Sequence, residues 1–181
     1  MELNKDVFSS GQISSKLWLC EQLEKTGWKS NTTWIYGGWH GMMGFLLLSR
    51  GQFPVDRVRS FDVDPDCERI ADTICENWVW KDWTFKAFTA DCNELRPHDA
   101  DLVINTSTEH FDSMEWWNSI PLGMRVAVQG NNMPHEEDTN IVESLEDFKK
   151  IFPLTTTVYE GQLDFNYPDW KFSRYMLIGI K

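Results

Sequence analysis

The chain has no run of lysines and arginines, no long apolar stretch and no paired cysteines, and each lack removes a class of protein. Its 17 basic side chains are outnumbered by 28 acidic ones, a formal net charge of -11 at pH 7. Binding through phosphates draws on Lys and Arg to release counterions, so nucleic acid is not an expected partner. The longest apolar stretch, Met42 to Leu48, is far below the roughly 20 residues that span a bilayer, and the opening MELNKDVFSSGQ has no apolar export core. A cytoplasmic home without membrane association is the expectation. The four cysteines, Cys20, Cys67, Cys75 and Cys92, form no CxxC pair and no disulfide framework, which suits a reducing compartment. His40, His98, His110 and His135 lack ligand spacing, so no metal site is expected. No repeat, low-complexity tract or linker divides the chain.

What is present is enough for one globular domain over 1–181. A chain of 181 residues buries a sizeable core unaided, since roughly 150 residues already hide about 68–70% of the unfolded surface. Its hydrophobic content of 41% and charged content of 25% are those of a folded protein. Most of the ten tryptophans and eleven phenylalanines read as core mass.

Apolar residues at helical spacing, Ile13, Leu17 and Cys20 with Leu19 and Leu23, predict a leading helix within 10–28 that stops near Gly27. A strand, Thr33 to Tyr36, then runs into Gly37-Gly38, and a mostly buried helix from Met42 to Arg50 closes at Gly51. A second strand, Val58 to Val63, precedes Asp64-Pro65, a cap followed by proline at the first helical position. The stripe Cys67, Ile70, Ala71, Ile74, Cys75, Trp78 predicts the helix that follows. Further strands are expected at Thr84 to Thr89, Asp101 to Thr106, Met124 to Gln129, Thr155 to Glu160 and Ser173 to Ile180. A short helix is expected around Ser113 to Ile120, and Ser144 to Asp147 resembles a capping box opening a helix that Pro153 ends. Strands alternating with helices call for a largely parallel sheet covered on both faces, a three-layer α/β sandwich.

Five strand ends carry candidate chemistry. Glycines in the turn GGWHGMMG, residues 37–44, let a backbone approach a ligand at a helix amino terminus, although tight packing alone also explains them. Asp62 ends the second strand, where a carboxylate accepts hydrogen bonds from ribose hydroxyls; Asp64 is better placed as a helix cap. Asp91-Cys92 ends the third strand, where an acid can meet an exocyclic amine. Asn105-Thr106-Ser107-Thr108-Glu109-His110 follows the fourth strand, and Gln129-Gly130-Asn131-Asn132, with His135 beyond, follows the fifth. Glu109 and His110 are the candidate base or orienting pair, His being matched to proton transfer near neutrality. Turn hydrogen bonds and a helix start would account for the same residues.

In this order the motifs resemble those of the class I S-adenosylmethionine-dependent methyltransferases. IYGGWHGMMG looks like motif I, FDVDPDC like the acidic end of strand two, TADC like the adenine-contacting loop and ADLVINTSTEHF like motif IV. LGMRVAVQG is similar to strand five and SRYMLIGIK to the terminal antiparallel strand. The resemblance implies a Rossmann-like, mostly parallel seven-stranded sheet with one antiparallel C-terminal strand, and S-adenosylmethionine as cofactor. It implies that Tyr36, Gly37, Gly38, His40, Gly41, Asp62, Val63, Asp91, Cys92 and Asn105 surround the cofactor. Thr106, Gln129, Asn131 and His135 would then face a small-molecule acceptor, with Glu109 and His110 catalytic. Motif I is divergent: Tyr36 stands at or beside the usual acidic position, and Trp39 and His40 interrupt the glycines. Three other readings stand beside methyl transfer: a non-catalytic cofactor-binding module, other chemistry on S-adenosylmethionine such as aminocarboxypropyl transfer, and a nicotinamide-dependent oxidoreductase. With no room for a recognition insert, the acceptor pocket comes from the strand ends or from a second subunit of a homo-oligomer.

Overall fold

The computed structural model describes residues 2–133 and 140–181. A single 3-10 turn, Lys5–Phe8, leads into α1, Ser10–Lys25, whose first turn is capped by the Ser9 hydroxyl accepting from the Gln12 amide at 3.3 Å. Of the expected apolar set α1 buries Leu19, Cys20 and Leu23, but Ile13 and Leu17 are only half-buried, and Ser15 and Lys16 are buried in their stead. The helix is rotated so that it delivers a lysine, not an isoleucine, to the sheet.

Strand β1, Ser30–Tyr36, starts earlier than Thr33 because Asp101 satisfies its polar beginning: the Ser30 hydroxyl and, at 2.8 Å, the Asn31 amide both donate to that carboxylate. Helix α2, Met42–Arg50, follows the glycine turn, and β2, Val55–Asp62, ends one residue before Val63, which is 71% exposed. Helix α3, Pro65–Ile74, has the expected cap, the Asp64 carboxylate accepting from the Asp66 amide at 2.9 Å. The apolar stripe through Trp78 does not make one helix. Cys75, at φ -98° and ψ 20°, interrupts it, and α4, Glu76–Val79, is separate.

The remaining elements are β3, Phe85–Thr89; β4, Leu102–Asn105; α5, Glu115–Asn118; β5, Arg125–Asn131; α6, Leu145–Ile151; β6, Thr156–Asn166; and β7, Lys171–Ile180. The last two strands extend beyond expectation into a hairpin on which Phe165 and Phe172, register partners, stack at 4.6 Å between ring centres. The seven strands lie in the order β3-β2-β1-β4-β5-β7-β6. Only β7 runs against the others, being antiparallel to both β5 and β6.

Each face of the sheet carries its own core, as strand alternation requires. Ile35 packs on one side with Leu19, Met43, Leu47, Ala71 and Phe85 of the α1–α2–α3 layer. Trp34 and Tyr36 point to the other, among Phe61, Trp116, Trp117, Phe148 and Phe152. The register aligns Tyr36 with Phe61 of β2 and Asn105 of β4, and Asn105 with Val128 of β5, so the carboxyl ends of four parallel strands share one edge. Because β7 is reversed, its beginning lies at that edge too: Arg174 pairs with Asn131. Among the described residues no helix is long and apolar enough to cross a membrane.

Candidate functional site

The turn after β1 is folded back onto β2. The Gly38 amide donates to the Phe61 carbonyl at 2.9 Å and the Gly41 amide to the Gly38 carbonyl at 2.9 Å. Gly37 and Gly41 lie at φ +60° and +78°, where a side chain is strained. A Cβ on Gly38 would stand 1.9 Å from the Ser60 hydroxyl, and one on Gly37 3.0 Å from the Phe111 ring. Gly38 is therefore committed to packing against β2, whereas Gly37 opens toward the end of β4.

Asp62 joins this turn to the end of β2. One carboxylate oxygen accepts the Trp39 amide at 2.8 Å and the other the Asp64 amide at 3.1 Å. The side chain is half-buried, and a carboxylate offers about four lone-pair sites, so acceptor capacity remains for a ligand. His40 is fully buried, and its Nε2 accepts from the Asn4 amide at 3.2 Å. In the neutral ring that leaves Nδ1 as the donor, and it has no partner. Burial lowers the His40 pKa against the opposing pull of Asp62 and Asp64, which keeps the ring neutral. The Trp39 ring stacks on it at 4.7 Å.

The other residues expected near the cofactor fall into two groups. Asp91 is exposed and accepts from the Asn93 amide at 2.8 Å, a local turn. Tyr36 and Cys92 are core residues: the first is 0% exposed among aromatic rings, and burial pushes the Cys92 thiol up to about 12. Sequence alternation could have placed Tyr36 there, one step from Ile35 on the opposite face.

A second cluster forms where β4 and β5 end and β7 begins. The Asn105 side-chain Oδ1 accepts from the Ser107 amide at 2.9 Å, and the Thr108 hydroxyl donates to the Gln129 main-chain carbonyl at 2.9 Å. Glu109, in a 3-10 turn over Thr108–His110, is 2% exposed. Its Oε1 accepts from the Asn131 amide group and lies 3.6 Å from the Arg174 guanidinium, which itself donates to the Thr106 carbonyl at 3.0 Å. Lys16 of α1 is buried against the same charges and donates to Gln12 at 2.5 Å. Burial first, then Arg174, lowers its pKa to about 7. Gln129 holds α1 down by donating to the Ser15 carbonyl at 2.9 Å.

The two residues of the expected Glu109–His110 pair differ in burial. Glu109 is buried and His110 exposed, and the charged groups beside Glu109 are Arg174 and Lys16. Neither cation stands out in the sequence; the signal for Arg174 is a lone charge inside the apolar strand SRYMLIGI. His135 lies outside the described residues. Four buried atoms of the cluster lack a hydrogen-bond partner: Asn105 Nδ2, Glu109 Oε2, Gln129 Oε1 and Arg174 Nε. Each such atom costs about 1–3 kcal/mol, more when charged.

A seven-stranded sheet with reversed β7, a glycine turn after β1 and an acid after β2 defines the fold of the S-adenosylmethionine-dependent methyltransferases. Solved structures with that fold match nearly the whole chain. The N-methyltransferase NodS of Bradyrhizobium japonicum, solved with S-adenosylhomocysteine, superposes with a TM-score of 0.70 at 10% identity, over 97% of this chain and 90% of that one. Magnesium protoporphyrin IX methyltransferase (ChlM) of Synechocystis, with bound S-adenosylmethionine, gives 0.67 at 11% identity, over 99% and 86%. Geranyl diphosphate C-methyltransferase of Streptomyces coelicolor gives 0.66 at 11%, over 93% and 76%. No family model and no curated protein matches the sequence.

Proposed function

We propose that the chain is an S-adenosylmethionine-dependent methyltransferase acting on a small-molecule acceptor. The observation that carries this reading is the Asp62–Trp39 bond, which fastens a half-buried carboxylate with remaining acceptor capacity to the glycine turn at the strand-end crevice of an open α/β sheet. The residues present fit the cofactor: Gly37 leaves a cradle that a Cβ would fill against Phe111, and His40 Nδ1 and Asn105 Nδ2 are buried donors without partners. Structural neighbours solved with S-adenosylmethionine or its demethylated product support the same reading.

S-Adenosylmethionine, when bound, supplies an electrophilic methyl group on a sulfonium. Asp62 would accept from ribose hydroxyls, and Gly37, Gly38 and Gly41 would set the turn that lets the backbone approach. The neutral His40 ring and Asn105 would donate hydrogen bonds, and exposed Val63 and Asp91 would flank the adenosine. Methyl transfer needs chiefly in-line placement of the acceptor atom. Glu109, through its unpartnered Oε2, would orient that atom or take its proton, with Asn131 and Arg174 fixing the carboxylate.

Calorimetric titration of the purified chain with S-adenosylmethionine, S-adenosylhomocysteine and NAD tests the proposal. Binding of both adenosyl compounds and not of NAD is expected, and the reverse outcome ends it. Incubation with small-molecule extract and a search for a mass gain of one methylene then separates an enzyme from a binding module.

A further inference from the structure

The cluster over the ends of β4, β5 and β7 is chemically two-sided. On one side stand two cations, Arg174 and Lys16, drawn from opposite ends of the sequence to one place by the reversal of β7 and the rotation of α1. On the other stands the carboxylate of Glu109, half used: Oε1 takes Asn131 while Oε2 has no partner. Arg174 is likewise half used, its NH1 on the Thr106 carbonyl and its Nε unpartnered. All of these side chains are more than nine-tenths buried. Buried unpaired polar atoms are few in a folded domain. Here, apart from the Asn105 Nδ2 donor assigned to the cofactor, one donor, Arg174 Nε, and two acceptors, Glu109 Oε2 and Gln129 Oε1, are left open at one sheet edge. A buried ion pair repays its desolvation only where further hydrogen bonds satisfy its remaining lone pairs and protons, and within the described residues Arg174 and Glu109 each keep one atom without such a bond.

The unused valences specify a ligand. An anion fits Arg174 Nε with Lys16 beside it, an N–H donor fits Glu109 Oε2, and because the two side chains already approach to 3.6 Å through NH1 and Oε1, both groups would sit close together on one small molecule. We propose that this cluster is the acceptor subsite and that it takes an amino-carboxylate, with the carboxylate on Arg174 and Lys16 and the amine toward Glu109. The proposal rests on the methyltransferase reading and names the substrate class of that site.

The amino-acid end of the cofactor has the same chemistry, so the experiment separates the two sources. The chain saturated with S-adenosylhomocysteine is titrated with glycine, acetate and methylamine. Glycine should bind more tightly than either half, and Arg174→Gln should weaken it by about tenfold, the loss of one charge-assisted contact. Arg174→Lys, which keeps the charge should Gln fail to fold, should lose part of that affinity. Affinity for S-adenosylhomocysteine should stay within about twofold in both variants. Two results overturn the proposal: no glycine binding to the saturated protein, or a matching loss of S-adenosylhomocysteine affinity in Arg174→Gln, which would assign the cluster to the cofactor. If S-adenosylhomocysteine does not bind at all, the methyltransferase reading fails, and glycine titration of the ligand-free chain and Arg174→Gln still reads the subsite.

Discussion

The carboxylate of Asp62 accepts the backbone amide of Trp39 at 2.8 Å, so the acid ending β2 and the glycine turn after β1 form one unit. The same side chain also accepts from Asp64 at 3.1 Å, where the next helix begins. Asp62→Ala should therefore act twice. It strands two backbone donors, lowering stability by about 1–3 kcal/mol, and it removes the acceptor proposed for ribose, weakening S-adenosylmethionine by about tenfold or more. Thermal denaturation and calorimetry read the two effects separately. Unchanged affinity in a destabilised variant would refute the ribose assignment while leaving the turn intact.

Glu109 is the buried carboxylate that the structure sets against the cations of β7 and α1. Replacing it by Gln preserves the bond from Asn131 but leaves Arg174 and Lys16 facing each other without a buried counter-charge. Breaking a buried pair in this way costs about 3–5 kcal/mol. Removing Lys16 as well should recover much of the loss, since one of the two uncompensated charges is gone. Denaturant titration of Glu109→Gln, Lys16→Met and the double variant closes the cycle. Strict additivity would mean that the two residues do not interact.

The fold was legible because its markers are local. Asp64-Pro65 announces a cap, Gly51 stops α2 in a left-handed conformation, and Ser144 caps α6 by accepting from the Asp147 amide at 3.1 Å. The glycine turn, Asp62 and the polar strand ends were legible for the same reason. What periodicity could not show is which buried positions hold charge. Lys16 lies on a helical face otherwise made of Ser15, Leu19, Cys20 and Leu23, and a lysine there reads as a solvated neighbour of the stripe. Its burial depends on contacts between residues distant in sequence, such as the bond between Ser15 and Gln129. Nor could sequence adjacency show that Glu109 and His110 differ in burial: in the 3-10 turn one side chain is buried in the cluster and the other is exposed.

Lys16 gives the protein a measurable pH dependence. Its neighbours are Arg174, Glu109, Asp6 and Gln12, and burial brings its pKa from 10.5 to about 7. A group that is harder to protonate in the folded chain than in the unfolded one binds fewer protons there, so stability rises with pH across the window between those two values. At and below about pH 7 the cost of the buried charge is present in full, and it fades as pH climbs toward 10.5. Lys16→Met lacks that cost, so its advantage over wild type should be largest at or below neutrality and should shrink above it. The thiols of Cys20, Cys67, Cys75 and Cys92, pushed by burial from 9.0 to about 12, act oppositely and weaken both proteins above pH 9. The difference in Tm between variant and wild type, followed from about pH 6 to about pH 9, isolates the lysine. A constant difference would show that Lys16 stays charged throughout.

Gly38 and Ser60 test whether the glycine turn is shaped by packing or only by conformational freedom. Gly38 is not among the glycines at positive φ, so alanine is allowed by its backbone. The obstacle is the Ser60 hydroxyl, 1.9 Å from where the Cβ would be, with the Ser60 Cβ itself at 3.2 Å. Gly38→Ala should therefore destabilise by about 1–3 kcal/mol through overpacking and displace the turn from β2, loosening the bonds from Gly38 to Phe61 and from Trp39 to Asp62. Ser60→Ala removes the nearest atom and leaves the tolerable contact, so the double variant should regain most of the stability and, with it, the affinity for S-adenosylmethionine. Rescue of both together is the expected outcome. If stability returns while affinity does not, the glycine is needed at the ligand itself rather than at β2.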